Sequence, residues 1–259
     1  MDDWLKESKE VEPSWLTVDL AIFTLREDRL MVLLIERGLE PFRGMPAMPG
    51  GYVQKNETLR EGALRELAEE AGIDGSKLHL EQLGTYADPG RDPRGRVVTV
   101  AYLALGPDLP APVGGTDAAR AFWAPAAGLQ DGTLSLAFDH QAILTQALEE
   151  VRRQLEYTAV ATAFCGETFT LRDLRTVYEV IWGQVLDPSN FRRKVLNTTG
   201  FVQPTGEQWM PSTGRPAALY RRGQAWLLSP PLLRAASTQR GRGGSGRPGG
   251  QPWDALAPG

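Results

Sequence analysis

The chain is short of the residues that build cross-links and soft-metal sites. One cysteine, Cys165, in 259 residues excludes an internal disulfide, and two histidines exclude a His/Cys zinc cluster. No apolar run approaches the ~20 residues needed to span a bilayer. The N-terminal stretch "MDDWLKESKEVEPSW" is acidic and polar, unlike a signal peptide. A cytoplasmic protein with no membrane partner is the expectation. The hydrophobic share of 42% and charged share of 23% are those of a globular chain with room for two small domains.

Charge is what the sequence distributes unevenly. Residues 1–150 carry 14 Lys and Arg against 25 Asp and Glu, a balance of −11. Residues 151–259 carry 14 against 7, a balance of +7. The split suggests two parts with different partners, the basic one a candidate for nucleic acid. Two domains whose charges merely differ would give the same numbers.

Strands are expected in "WLTVDLAIFTL" and "RLMVLLIER", joined by the turn "REDR". A loop and strand follow in "PFRGMPAMPGGYV", then a helix from about Thr58 to Ala71 that Gly72 is suited to end. Further strands are expected in "HLEQLGTYADPG", "RVVTVAYLAL" and "TDAARAFWAPAAGL". A helix in "DHQAILTQALEEVRRQLEY" has Ile143, Leu144, Ala147, Leu148 and Val151 on one stripe. Together these make an α/β unit with a mixed sheet, residues 1–156.

Residues 157–233 read differently. In "FTLRDLRTVYEVIWG", Leu171, Leu174, Val177, Tyr178 and Ile181 share a helical stripe, and Thr170 with Asp173 forms a capping box. A second helix opens with Asp187 as N-cap and Pro188 at the first position. A hairpin follows, turning near Ser212 to Pro216. Helix, turn, helix, hairpin is the order of a winged helix-turn-helix. Residues 234–259 are Gly/Arg/Pro-rich and read as a disordered tail.

Within Met48–Ile73 stand five glutamates and three bases. Glu66, Glu69 and Glu70 fall within roughly 100° of one another on a helix. Leu64, Leu67, Ala68 and Ala71 form a separate stripe for the sheet, so the carboxylates are expected to gather outside the core. Their repulsion is relieved by a hard divalent cation with oxygen ligands. Arg65 is placed to pair with Glu57, and Gly50 and Gly51 let the preceding loop bend close to a ligand. A solvated acidic helix face would not account for the double glycine, the arginine and the spacing together.

This stretch resembles the Nudix hydrolases. Gly51, Glu57, Arg65, Glu66, Leu67, Glu69, Glu70, Gly72 and Ile73 occupy every fixed position of the Nudix box. The resemblance implies an α/β/α sandwich and Mg²⁺- or Mn²⁺-dependent cleavage of a nucleoside diphosphate derivative. It implies metal ligands at Glu66, Glu69 and Glu70. Glu70 is the candidate general base, with Asp88 and Asp92 on a later loop as alternatives. Pro89, 16 residues beyond Ile73, stands where a proline is associated with ADP-ribose pyrophosphatases. Arg91, Arg94 and Arg96 are then candidates for phosphate or ribose contacts, beside the backbone of Gly50 and Gly51. Pro46 departs from the family, whose relatives carry a tryptophan there.

In the basic half, Arg192, Arg193 and Lys194 follow one another while Phe191 and Val195 are spaced to point inward. Those cations and Arg215 of the hairpin turn are candidate contacts to double-stranded DNA; a small basic dimerisation domain is the competing reading. The order of elements resembles the C-terminal domain of Nudix-related transcriptional regulators, which control NAD metabolism and respond to ADP-ribose. Two functions follow. One is a metal-dependent hydrolase of ADP-ribose or a related nucleotide that also binds DNA, which the complete box favours. The other is an ADP-ribose-responsive repressor of NAD-metabolism genes with little or no hydrolysis. A homodimer is expected in both.

Overall fold

The computed structural model describes residues 12–112, 118–210, 212 and 215–234. The expected tail beyond Arg234, the N-terminal acidic segment up to Val11 and the middle of the expected hairpin turn lie outside these residues.

Strands β1 (Trp15–Arg26) and β2 (Arg29–Arg37) form the expected hairpin. Its two-residue turn sets Glu27 and Asp28 at φ 50° and 57°, the left-handed values that match the twist of the strands. β1 also pairs in parallel with β6 (Val97–Pro107), which pairs antiparallel with β5 (His79–Tyr86), so the sheet is mixed. Short β3 (Pro46–Ala47) and β7 (Ala118–Pro125) pair with β2.

One edge of β1 is shared by two partners. Phe23–Arg26 pair with β2, whereas Thr17–Asp19 pair with β4 (Gly50–Tyr52). β2 therefore diverges from β1 toward β3 and β7, and the sheet forks.

The period of two along β1 sends alternate side chains to opposite faces. Val18, Leu20 and Ile22 join Ala63, Leu67 and Ala71 of α1 (Leu59–Ala71). Ala21 and Phe23 join Ile143, Leu144, Ala147 and Leu148, all essentially inaccessible, on α3 (His140–Tyr157). A short α2 (Gly128–Asp131) precedes α3. Helices thus cover both faces of the sheet, as expected.

α1 begins where Thr58 caps it, in a capping box with Glu61, and ends at Gly72 with φ 65°. Its buried face corrects the expected one. Ala68 is exposed and Leu64 half-buried, while Glu66 and Glu70 are buried beside Leu67 and Ala71. The cause is β4: a Cβ on Gly51 would sit 2.3 Å from Glu66 Oε1, so the missing side chain makes the space the carboxylate occupies.

After α3, a 3-10 segment Ala159–Phe164 leads to α4 (Leu171–Trp182), capped by Thr170 and Asp173, and α5 (Pro188–Asn197), capped by Asp187. The hairpin β8 (Val202–Trp209) and β9 (Ala217–Arg222) completes a winged helix. Its core continues that under α3: Val151 and Leu155 share one cluster with Val160, Leu174 and Tyr178. Among the described residues no helix is long and apolar enough to cross a membrane.

Candidate functional site

The fork in the sheet opens a cleft of about 410 Å³ between β1, β2, β4 and α1. Of the expected site residues, Gly50, Gly51, Arg65, Glu66, Glu69, Glu70, Arg91 and Arg94 all line it.

Arg65 organises the acidic wall. Its Nε and Nη2 donate to the two oxygens of Glu57 at 3.0 and 2.6 Å. Its Nη1 donates to Glu66 Oε1 at 2.6 Å and Glu69 Oε2 at 3.0 Å, and Nη2 also reaches the Tyr52 carbonyl at 3.1 Å. One guanidinium thus ties Tyr52 and Glu57, at and after the end of β4, to Glu66 and Glu69 of α1. The bonds from Arg65 and from the Gln54 amide hold the Glu57 carboxyl down at about 2. Burial pushes the Glu66 carboxyl up despite Arg65, and the Glu69 and Glu57 charges add to the rise. Glu70 accepts the Gly50 N–H through Oε2 at 2.8 Å.

Arg65 thus offsets the charge of Glu57, Glu66 and Glu69. Among the described residues no three His, Cys, Asp or Glu side chains converge as a ready metal site. The donor set still suits a hard cation. Glu66, Glu69 and Glu70 of α1 line the cleft together, and burial disfavours the charged form of Glu66.

The opposite wall holds the arginines of the loop between β5 and β6. Arg91 is bidentate to Asp139 at 2.8 and 2.7 Å and lies 3.7 Å from Asp19. Arg94 grips Asp92 at 2.6 to 3.2 Å. Burial opposes ionisation of Asp92, but Arg94 outweighs it and keeps the carboxyl below the ordinary range. Such a carboxylate is a weak base. Arg96 donates to the Ala87 carbonyl and Asp88 is exposed; neither lines the cleft.

Among the lining residues, Asp19, Arg37, Phe138 and His140 escaped the sequence reading. His140 Nδ1 accepts the Met48 N–H at 2.9 Å, which leaves the proton on Nε2, 3.9 Å from Asp19. Burial lowers its pKa, opposed by Asp19 and Asp139. An acid inside the apolar run "LTVDLAIF" was the one available signal for Asp19. The other three are joined only by the fold.

On the winged helix, Arg192, Arg193 and Lys194 are exposed while Phe191 and Val195 are buried, as the spacing implied. Arg215 is exposed just before β9. The unit is tied to the far end of α3. Arg152 Nε donates to the Ile181 carbonyl at 3.0 Å, and Trp182 Nε1 to the Arg152 carbonyl at 3.3 Å. α3 thus begins at the cleft, with His140, and ends against the winged helix.

Comparison with known proteins matches a family to each part of the chain. Residues 15–146 match the NUDIX domain family, and residues 161–222 match the NrtR DNA-binding winged helix domain. The chain is 36% identical over 208 residues to the ADPR responsive transcriptional repressor NtrR of Acinetobacter baylyi, covering 80% of this chain and 81% of that protein. It is 39% identical over 115 residues to an ADP-ribose pyrophosphatase of Methanocaldococcus jannaschii, covering 44% of this chain and 63% of that enzyme. The crystal structure of Shewanella oneidensis NrtR complexed with a 27mer DNA superposes with a TM-score of 0.67 at 33% identity, over 80% of this chain and 93% of that one.

Proposed function

The chain belongs to the NUDIX family, with an NrtR-type winged helix behind its Nudix domain, and on that premise we propose that it is an ADP-ribose-responsive transcriptional repressor. Similarity to a repressor over 80% of this chain and 81% of that one supports regulation ahead of hydrolysis. The observation that carries the reading is α3. Its first residue, His140, lines the nucleotide cleft, and Arg152 near its end bonds the winged helix. α3 is thus the element through which a ligand in the cleft would bias the winged helix.

The DNA contacts fall to Arg192, Arg193 and Lys194 on the second helix of the motif, with Arg215 on the wing. A homodimer places two such helices on a two-fold DNA site. The ligand lies in the cleft with the backbone of Gly50 and Gly51 beside it. The test is fluorescence anisotropy with DNA upstream of the protein's own gene and of NAD-metabolism genes. Binding at physiological salt no tighter than to random duplex overturns the repressor reading.

A second reading, retained hydrolysis, is favoured by the complete box, every carboxylate of which is present and braced. Glu66, Glu69 and Glu70 would hold Mg²⁺ or Mn²⁺, which when bound neutralises pyrophosphate charge and acidifies water. Glu70 takes the proton of the attacking water, while Arg65 and Glu57 hold the loop in place. Cleavage of ADP-ribose to AMP and ribose 5-phosphate, abolished in Glu69→Gln and Glu70→Gln, supports it. Wild-type protein inert on a nucleotide panel with both metals sinks it.

A further inference from the structure

We infer that Arg37 is the phosphate-binding cation of the cleft, taking one phosphate of a nucleoside diphosphate ligand through its two terminal nitrogens. The inference deepens the sensor reading and rests on it for the identity of the nucleotide.

Arg37 ends β2 at the fork, half-buried and facing the cleft. Its Nε donates to the Pro41 carbonyl at 2.8 Å, and its guanidinium carbon lies 4.6 Å from the centre of the Phe138 ring. A carbonyl and an aromatic face thus fix the plane of the group, and among the described residues nothing accepts from its terminal N–H donors. The other arginines of the cleft are engaged: Arg65 by Glu57, Arg91 by Asp139 and Arg94 by Asp92. Among the described residues no carboxylate lies within ion-pair reach of Arg37. Its pKa is lowered by burial and then by the Arg94 charge, against which the charges of Asp92, Glu70 and Asp19 across the cleft act to raise it.

The surroundings are built to hold it. Phe138 and Phe42 have φ of 54° and 67°, left-handed conformations costly for bulky residues, and their rings meet edge to face at 4.8 Å. Asp19, Glu66, Glu69, Glu70 and Asp92 make the same cleft acidic, so a diphosphate needs an uncommitted cation to enter it. A planar fork of parallel donors fits two phosphate oxygens at once, which a lysine cannot match.

The test is calorimetric titration of the full chain with inorganic pyrophosphate, ADP-ribose and adenosine, in EDTA so that only protein cations meet the phosphates. In Arg37→Gln, pyrophosphate and ADP-ribose are expected to bind about 10- to 100-fold more weakly, with adenosine unchanged. Arg37→Lys should fall between, and serves alone if the glutamine variant does not fold. Equal phosphate affinity in wild type and variants overturns the assignment. So does an equal loss of adenosine binding, or a wild type that binds no phosphorylated ligand. Pyrophosphate binding that depends on Arg37, with no binding of ADP-ribose, sinks the sensor reading and leaves this one standing.

Discussion

Replacing Arg65 by glutamine removes the one cation that serves Glu57, Glu66 and Glu69 together. The side chains of Arg65, Glu57 and Glu66 are 21%, 13% and 10% exposed but that of Glu69 is 55% exposed, so the network is only partly out of water. Removing one partner of a fully buried pair costs roughly 3–5 kcal/mol. Residual exposure here, and a bond that glutamine can still make, bring the expectation to about 2–3 kcal/mol. At ~2–4 °C per kcal/mol for a chain of this size, Tm falls by about 5–10 °C. The pH dependence identifies the cause. Glu57 is held at about 2, against 4.5 ordinarily, so its contribution is present above the unfolded value and lost as pH falls through the folded one. Without Arg65 that contribution shrinks at neutral pH, and the gap between wild type and variant narrows from about pH 4.5 downward. Adding Glu66→Gln should recover part of the loss, because a neutral amide needs no counter-ion. Urea melts at pH 7 and pH 3.5 read all three effects. A gap below about 0.5 kcal/mol at pH 7, or one equally wide at both pH values, refutes the reasoning.

Alanine at Gly50 would put its Cβ 2.3 Å from the Val18 carbonyl, immovable backbone, and should cost about 1–3 kcal/mol in a denaturant melt. Alanine at Gly51 meets the end of the Glu66 side chain instead, so calorimetry should find nucleotide affinity hurt more than stability. His140 is buried with its pKa lowered, so the unfolded chain takes up a proton that the native one refuses. Stability should therefore decline as pH drops below about 6.5, and His140→Asn should flatten that slope in melts at pH 7, 6 and 5. Changing Arg192 and Arg193 to alanine should weaken DNA binding across sequences and reduce the salt slope by about 1 for each phosphate no longer neutralised, read by anisotropy between 50 and 200 mM salt.

How far the sequence could be read depended on the range of the interactions. The α1 box, the Arg65–Glu57 pair and the caps at Thr170 and Asp187 are local, and each stands in the structure. The burial of Glu66 was illegible because the space it fills comes from a glycine on another strand. Arg91 and Arg94 line the cleft, but Asp139, 48 residues from Arg91, has no connection to it that the sequence makes visible. Arg37 looked like the polar end of a strand. Its place depends on the fork that parts β1 from β2, and on Phe138 arriving from the start of a distant helix.

The most direct test of the sensor reading is linkage between the two sites. DNA affinity is measured by anisotropy with and without saturating ADP-ribose, using Glu70→Gln protein in EDTA so that the ligand stays intact. ADP-ribose affinity is then measured by calorimetry with and without DNA. A ligand-sensing repressor gives a change of roughly 5- to 150-fold in DNA affinity and the same factor in the reverse titration. An unchanged DNA affinity with ADP-ribose demonstrably bound would contradict it.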